Sequence, residues 1–342
     1  MKTVAAFGEI MLRLSPPDRE RFFQSPCFRA HFGGSEANVV ASLAQFGHST
    51  RFISAVPKNE IGSAAIRALR LVGVETDFIV RKGKRLGIYF AETGNNQKPT
   101  HVIYDRDHSG IAEAARSDID WDKSLAGADW LHMTGITPAV SRSAADLTWD
   151  AVRAAKANGL QVSVDLNYRA KLWQYGVPAA KVMREIFKYA DVGFANEDDC
   201  RNSLGIEMDV ADPGAPPDIE AYEAMTLKVM EEFPNLTRLA VTLRESRSAD
   251  HNVWSGVLRN RREFIAGPRY EIAHVVDRIG AGDAFAAGLI HGLDIFSSDR
   301  DALEFALAAS CLKHSIPGDF NLVSESEVLI LMKGDGSGRI RR

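Results

Sequence analysis

The residues with the clearest chemical potential lie late in the chain, in VVDRIGAGDAFAAGLIHGL (275–293). Gly280, Ala281 and Gly282 open a run of small residues, and Asp283 falls in its first helical turn. A helix start carries free backbone N–H groups and the positive end of the dipole, and glycines let a phosphate approach the backbone closely. A carboxylate beside such an anion hole can take the proton of a hydroxyl that attacks a phosphoryl group, while the N–H groups hold the charge of the transferring group. Taken alone, the same residues also describe a glycine-rich helix start in which Asp283 satisfies the dipole. Other segments carry similar double meanings. Gly33 and Gly34 precede the helical run SEANVVASLAQFG, with Asn38 one turn in, as in any tight turn before a core helix. Asn196-Glu197-Asp198-Asp199 offers carboxylates to a metal but also reads as a solvated helix start capped by Asn196. Arg169 follows QVSVDLN and so projects from the carboxyl end of a strand, where open α/β sheets bind ligands; its fork of donors matches a carboxylate or a phosphate. Tyr104 and Arg106, two apart in VIYDRDHSG, are predicted to share one strand face, unless they are only half-buried residues of a small sheet.

Positioning such groups requires a scaffold, and the pattern supplies one. Short apolar runs (TVAAFGEI, TRFISAV, WLHMTG, QVSVDLN, DVGFAN, RLAVTL) alternate with longer amphipathic ones (IGSAAIRALRLVG, SAADLTWDAVRAAKANG, AAKVMREIFKYA, AYEAMTLKVMEEF). This is the rhythm of βαβ units on a parallel sheet. Two stretches break it, at about 12–33 and 86–110, where GIYFAE and THVIYDR flank the turn TGNNQKP. They predict a small antiparallel sheet outside the main body. The run 209–218 reads as a Pro/Gly loop and 333–342 as a flexible tail.

Composition narrows the partners. The 342 residues are 45% hydrophobic and 25% charged, and 41 Lys and Arg against 45 Asp and Glu give a formal charge of -4. That balance argues against nucleic acid or an anionic membrane surface and for a small-molecule ligand. Cys27, Cys200 and Cys311 lie far apart, which suggests neither a disulfide framework nor a cysteine zinc site and fits a reducing cytoplasm. The N-terminus does not read as a signal peptide, no apolar stretch is long enough to span a membrane, and the nine histidines lack zinc spacing. No GxxxxGK[ST] string occurs, and the glycine string of the tail lacks the strand and helix of a dinucleotide turn.

Taken together, the N-terminal FGE strand, Gly33-Gly34 with Asn38, and the late GAGD resemble the ribokinase/PfkB carbohydrate kinase family over nearly the whole chain. The resemblance implies one kinase domain over 1–342, a ribokinase-like three-layer αβα sandwich, with the two irregular stretches as a β-sheet lid. It also implies transfer of phosphate from ATP, with Mg2+ and with a monovalent cation left open. Asp283 maps onto the catalytic base, and Gly280, Ala281 and Gly282 onto the anion hole. Two departures stand out: Asp277-Arg278 replaces the usual Asp-Thr before GAGD, and Asn196 to Asp199 replaces Asn-x-x-Glu, a methylene shorter where the family acts on the metal-bound water and phosphates.

Finer details resemble the branch of 2-keto-3-deoxygluconate kinases: Asp165 to Arg169 with Leu172-Trp173, Tyr104 to Arg106, and Thr242-Leu243-Arg244-Glu245-Ser246. By that resemblance Gly34, Tyr89, Tyr104, Arg106, Arg169 and Asp319 contact a sugar acid. Asn167, Arg169, Thr242, Arg244, Ser246 and Arg247, with Gly280 and Gly282, line the nucleotide side, and Asn196 and Asp199 act indirectly on the metal. The expected reaction phosphorylates 2-keto-3-deoxy-D-gluconate to its 6-phosphate. A sister kinase for fructose, ribose or another sugar acid and a non-catalytic sugar-acid sensor remain alternatives, and a homo-oligomer is expected, with apolar lid residues such as Ile88 and Phe90 compatible with lid-to-lid pairing.

Overall fold

The computed structural model describes residues 1–207 and 217–334, so most of the loop expected at 209–218 and the tail from 335 on lie outside the described residues. The strands, in chain order, are β1 (Thr3–Phe7), β2 (Met11–Ser15), β3 (Arg29–Gly33), β4 (Ser49–Val56), β5 (Ile79–Arg81), β6 (Gly87–Glu92) and β7 (His101–Asp105). They continue as β8 (Trp130–Thr134), β9 (Gln161–Asp165), β10 (Val192–Ala195), β11 (Arg238–Ser248), β12 (His251–Asn260), β13 (Phe264–Ala266) and β14 (Tyr270–Ala273). The helices are α1 (Ser35–Gln45), α2 (Glu60–Leu71), α3 (Trp121–Leu125), α4 (Thr137–Val140), α5 (Arg142–Ala157) and α6 (Ala179–Phe187). After them come α7 (Glu197–Leu204), α8 (Ile219–Glu232), α9 (Ala281–Ile295), α10 (Asp299–Lys313) and α11 (Glu325–Met332).

The large sheet runs β13-β12-β11-β10-β9-β8-β1-β4-β5, with β14 also on β12. From β5 to β11 every pairing is parallel, and β11 to β14 form an antiparallel flank. Alternation along the central strands sends Ala5 and Phe7 into one core, with residues of α5, α6 and α8, and Val4 and Trp130 into another, with α1, α9 and α10. Both faces are thus covered by helices, as a parallel sheet requires. Strand order reverses about β1, so the crevice at the carboxyl ends near β1 and β8 is where such sheets bind ligands.

The two stretches that broke the rhythm do form a separate four-stranded sheet, β3-β2-β6-β7. It is mixed rather than antiparallel, because β2 and β6 come from distant parts of the chain and pair parallel. Arg106 falls just past the end of β7 at Asp105; its guanidinium still lies 5.7 Å from the Tyr104 ring, but it is buried where Tyr104 is exposed. Phe90 and Ile88 are half-buried, with Phe22 and Phe28 edge-on to the Phe90 ring. The strand read in RLAVTL runs on through Thr242-Leu243-Arg244-Glu245-Ser246, all of which belong to β11.

Small residues in α9 let α10 pack closely. A Cβ at Gly288 would lie 2.7 Å from the Ala306 Cα, and one at Gly292 would lie 2.7 Å from the Ala302 Cα. This close pair presents the start of α9 to the crevice.

Candidate active site

Elements at the carboxyl ends of the central strands and the inner face of the small sheet enclose a cavity of about 800 Å³. Its floor is the start of α9. Gly280 adopts φ +88, a left-handed conformation, and a Cβ there would lie 2.2 Å from the Asp319 carbonyl oxygen. Gly282 has nothing within 4 Å of its missing side chain, so the first-turn backbone stays open to the cavity. Ala281 is buried and does not line it.

Asp283 sits over this start, held from α1: Ser35 Oγ donates to its Oδ1 at 2.5 Å and Asn38 Nδ2 to its Oδ2 at 2.7 Å. Burial pushes its carboxyl up to about 6, partly opposed by those two donors. Gly34 precedes α1, and a Cβ there would lie 1.9 Å from the Glu9 carbonyl oxygen; only glycine lets α1 begin this close to the end of β1. Ser35 in turn accepts from Asn167 Nδ2 at 3.1 Å, and Asn167 adopts φ +36, which asparagine tolerates well.

A second group of carboxylates faces Asp283. Asp199 is buried, accepts from the Tyr168 and Asn196 N–H groups at 2.6 and 3.0 Å, and is pushed up to about 6 by burial. Asn196 caps α7 as expected and also lines the cavity. Burial, then the fields of Asp199 and Asp283, hold the Asp165 carboxyl well above the usual range. Among the described residues no group of three or more His, Cys, Asp or Glu could by itself hold a metal. Mg2+ keeps several waters and takes only one or two carboxylates alongside substrate phosphates, a demand that a carboxylate among the cavity-lining Asp165, Glu197 and Asp199 can meet.

On the small-sheet side, Tyr89 hydrogen-bonds Asp319, and Tyr104 stands opposite Tyr89 in the β6/β7 register. Beneath them Arg13 pairs with Asp277 at 2.8 Å and with Asp319 at 3.0 Å, all three buried. Sequence reasoning did not find Arg13, because no local pattern reveals that β2 will lie beside a loop three hundred residues away. Ser35 likewise carries no local signal of its contact with Asp283 across 248 residues.

Of the expected residues, Gly34, Tyr89, Tyr104, Arg169, Asp319, Asn167, Thr242, Arg244, Ser246, Asn196, Asp199, Gly280, Gly282 and Asp283 come together around the cavity. Arg106 does not line it; its guanidinium is buried against Glu9, from the loop after β1. Arg247 does not line it either: beside a bulge in the β11/β12 pairing it lies 3.4 Å from Glu245 and 3.6 Å from Glu271.

An α/β sheet closed by a separate small β-sheet, with a glycine-lined helix start in the crevice, has the ribokinase-like fold. The family model for pfkB family carbohydrate kinases matches residues 1–321, and the chain belongs to that family. It is a carbohydrate kinase. It is similar to the solved 2-dehydro-3-deoxygluconokinase of Thermotoga maritima: 46% identity, TM-score 0.92, 98% of this chain and 100% of that one covered. It is 29% identical to the 2-dehydro-3-deoxygalactonokinase of Haloferax volcanii over 98% of each chain. An E. coli protein described as a putative ribokinase II, solved with ATP and Mg2+, shares the fold with a TM-score of 0.78 at 19% identity, covering 98% of this chain and 100% of that one. No helix among the described residues is long and apolar enough to cross a membrane.

Proposed function

We propose that the protein transfers the γ-phosphoryl group of ATP to the terminal hydroxyl of 2-keto-3-deoxy-D-gluconate, giving the 6-phosphate and ADP. The observation that carries this reading is Asp283: a carboxylate in the first turn of α9, fixed by Ser35 and Asn38 and open to the cavity. In the reaction the hydroxyl oxygen forms a bond to the γ-phosphorus as the bond to the bridging oxygen of ADP breaks, and Asp283 accepts the hydroxyl proton. The N–H groups beside Gly280 and Gly282 donate to the oxygens of the transferring group. Asp165, Glu197 or Asp199 would help to hold Mg2+, which would supply neutralisation of the phosphate charge.

The acid character of the substrate is supported by Arg169, which lines the cavity and is exposed there, with Tyr89 and Tyr104 on the wall formed by the small sheet. Arg106 is left to a supporting role, since Glu9 already holds it. The small sheet would close as a lid over the bound sugar and exclude water. The Haloferax relative favours a second reading, the galactonate epimer, which differs in the placement of one hydroxyl. ADP release measured over keto acids, aldonates and hexoses tests the substrate; equal kcat/KM on a neutral hexose would overturn the sugar-acid reading. Asp283→Asn should lower kcat by about 10²- to 10⁴-fold with KM little changed; unchanged kcat would remove Asp283 as the base.

A further inference from the structure

Lys313 is a buried charge that the proposed chemistry does not use. It ends α10 and is 0% exposed, although lysine is almost never fully buried unless paired. Among the described residues its ammonium makes no close ion pair, and its one hydrogen bond goes to the Ile316 carbonyl oxygen at 3.1 Å. The stem passes directly behind the start of α9: a Cβ at Gly280 would lie 3.2 Å from Lys313 Cε.

The same end of α10 straps the loop that leads into α9. The His314 carbonyl accepts from the N–H groups of Val276 and Asp277 at 2.9 and 3.2 Å, and Ser310 Oγ donates to the Ala281 carbonyl at 2.7 Å. Asp277 closes the strap by accepting from the N–H groups of Ile279 at 3.1 Å and Gly318 at 3.0 Å. Its carboxylate and that of Asp319 share a single paired cation, Arg13. One guanidinium against two buried carboxylates leaves a negative charge behind N–H groups that must attract a phosphoryl oxygen. The Lys313 ammonium is placed to cancel it: burial lowers its pKa, and the fields of Asp277 and Asp319 work against that loss of charge.

We propose that Lys313 is a positioning residue for phosphoryl transfer, a built-in monovalent cation that lies behind Gly280, neutralises Asp277 and Asp319 together with Arg13, and takes the place of any bound alkali ion there. The proposal rests on the phosphotransfer reading above and deepens it. Lys313 does not touch substrate or the reacting atoms; it acts through the helix start, whose N–H groups hold the charge of the transferring group. An ammonium tethered to α10 needs no binding step, so the anion hole stays preorganised whatever salt surrounds the protein.

The test measures kcat for ADP release and KM for the keto acid in tetramethylammonium, K+ or NH4+ salts of equal ionic strength, with the full-length parent, Lys313→Met and Lys313→Ala. The parent should give kcat within about twofold across the three salts. Lys313→Met should lower kcat on the order of tenfold in all of them, with KM for the keto acid nearly unchanged. Lys313→Ala removes the charge and opens a space, so K+ or NH4+ should restore several-fold of the lost kcat while tetramethylammonium, too large to enter, should not. A purely structural loss would not respond to one cation and ignore another. A parent that needs K+ or NH4+ for activity would overturn the proposal, and this result stands even if neither variant folds. A kcat for Lys313→Met within twofold of the parent, or an Lys313→Ala kcat that is the same in all three salts, would also overturn it. If the parent releases no ADP in any salt with any keto acid, the phosphotransfer reading itself falls, and the role of Lys313 with it.

Discussion

Arg13→Met isolates the contact that ties the small sheet to the α/β body. Arg13, on β2, is 3% exposed, and its Nη1 lies 2.8 Å from Asp277 and 3.0 Å from Asp319. Against the cost of burial, those two carboxylates hold the guanidinium above its ordinary pKa, so it is charged at every working pH. Methionine fills much of the volume but leaves two buried carboxylates without their ion-pair partner, with only the field of buried Lys313 to oppose their charge. Removing one partner of a buried pair costs about 3–5 kcal/mol, which corresponds to a fall in Tm on the order of 5–15 °C. The sign with pH is also fixed. The Asp319 carboxyl is already raised by burial, opposed chiefly by Arg13, and without Arg13 it moves higher. A raised carboxylate destabilises the fold fully above its folded pKa, and the penalty fades as pH falls through that value toward the unfolded one. Urea denaturation of parent and variant at pH 5 and pH 8 should therefore show the larger difference at pH 8. Adding Asp319→Asn should recover part of the loss, because it removes one of the stranded charges. A difference below about 1 kcal/mol at both pH values would mean instead that the triad is solvated or rearranges at little cost.

Three further outcomes follow from the same geometry. With Asp283 pushed up to about 6 by burial and needed as the unprotonated base, kcat/KM should rise through pH 6 and level off above it, and a profile flat down to pH 4.5 would contradict that role. Gly34→Ala places a Cβ 1.9 Å from the Glu9 carbonyl oxygen, so α1 must shift with Ser35 and Asn38; activity should fall by at least tenfold in steady-state assays, more than stability would explain. Glu36 is fully buried, with its carboxyl pushed up to about 7 by burial, and its Oε1 takes all three hydrogen bonds from Thr134 and Thr137. Glu36→Gln keeps that acceptor and removes the charge, so the variant should match the parent at pH 5 and exceed it in Tm at pH 8, where the parent's carboxylate is ionised.

Local periodicity and residues a few positions apart are enough to specify the alternation of elements, the separate small sheet, and the glycine-lined start of α9 with Asp283. They also place Asn196 and Arg169 correctly, since a cap and the end of a strand are local features. Which side chains meet depends instead on long-range packing. Arg106 looked like a ligand-facing residue from its spacing, but β7 stops one residue short of it and Glu9 takes its charge. Arg247 belonged to a promising string, yet a bulge in the β11/β12 pairing leaves it beside Glu245 and Glu271. Arg13 carried no signal at all and became the counter-ion of Asp277 and Asp319 because β2, β6 and the loop after α10 converge. The reason is physical: periodicity fixes which face a residue occupies, while charge pairing depends on what the fold brings opposite it across hundreds of residues.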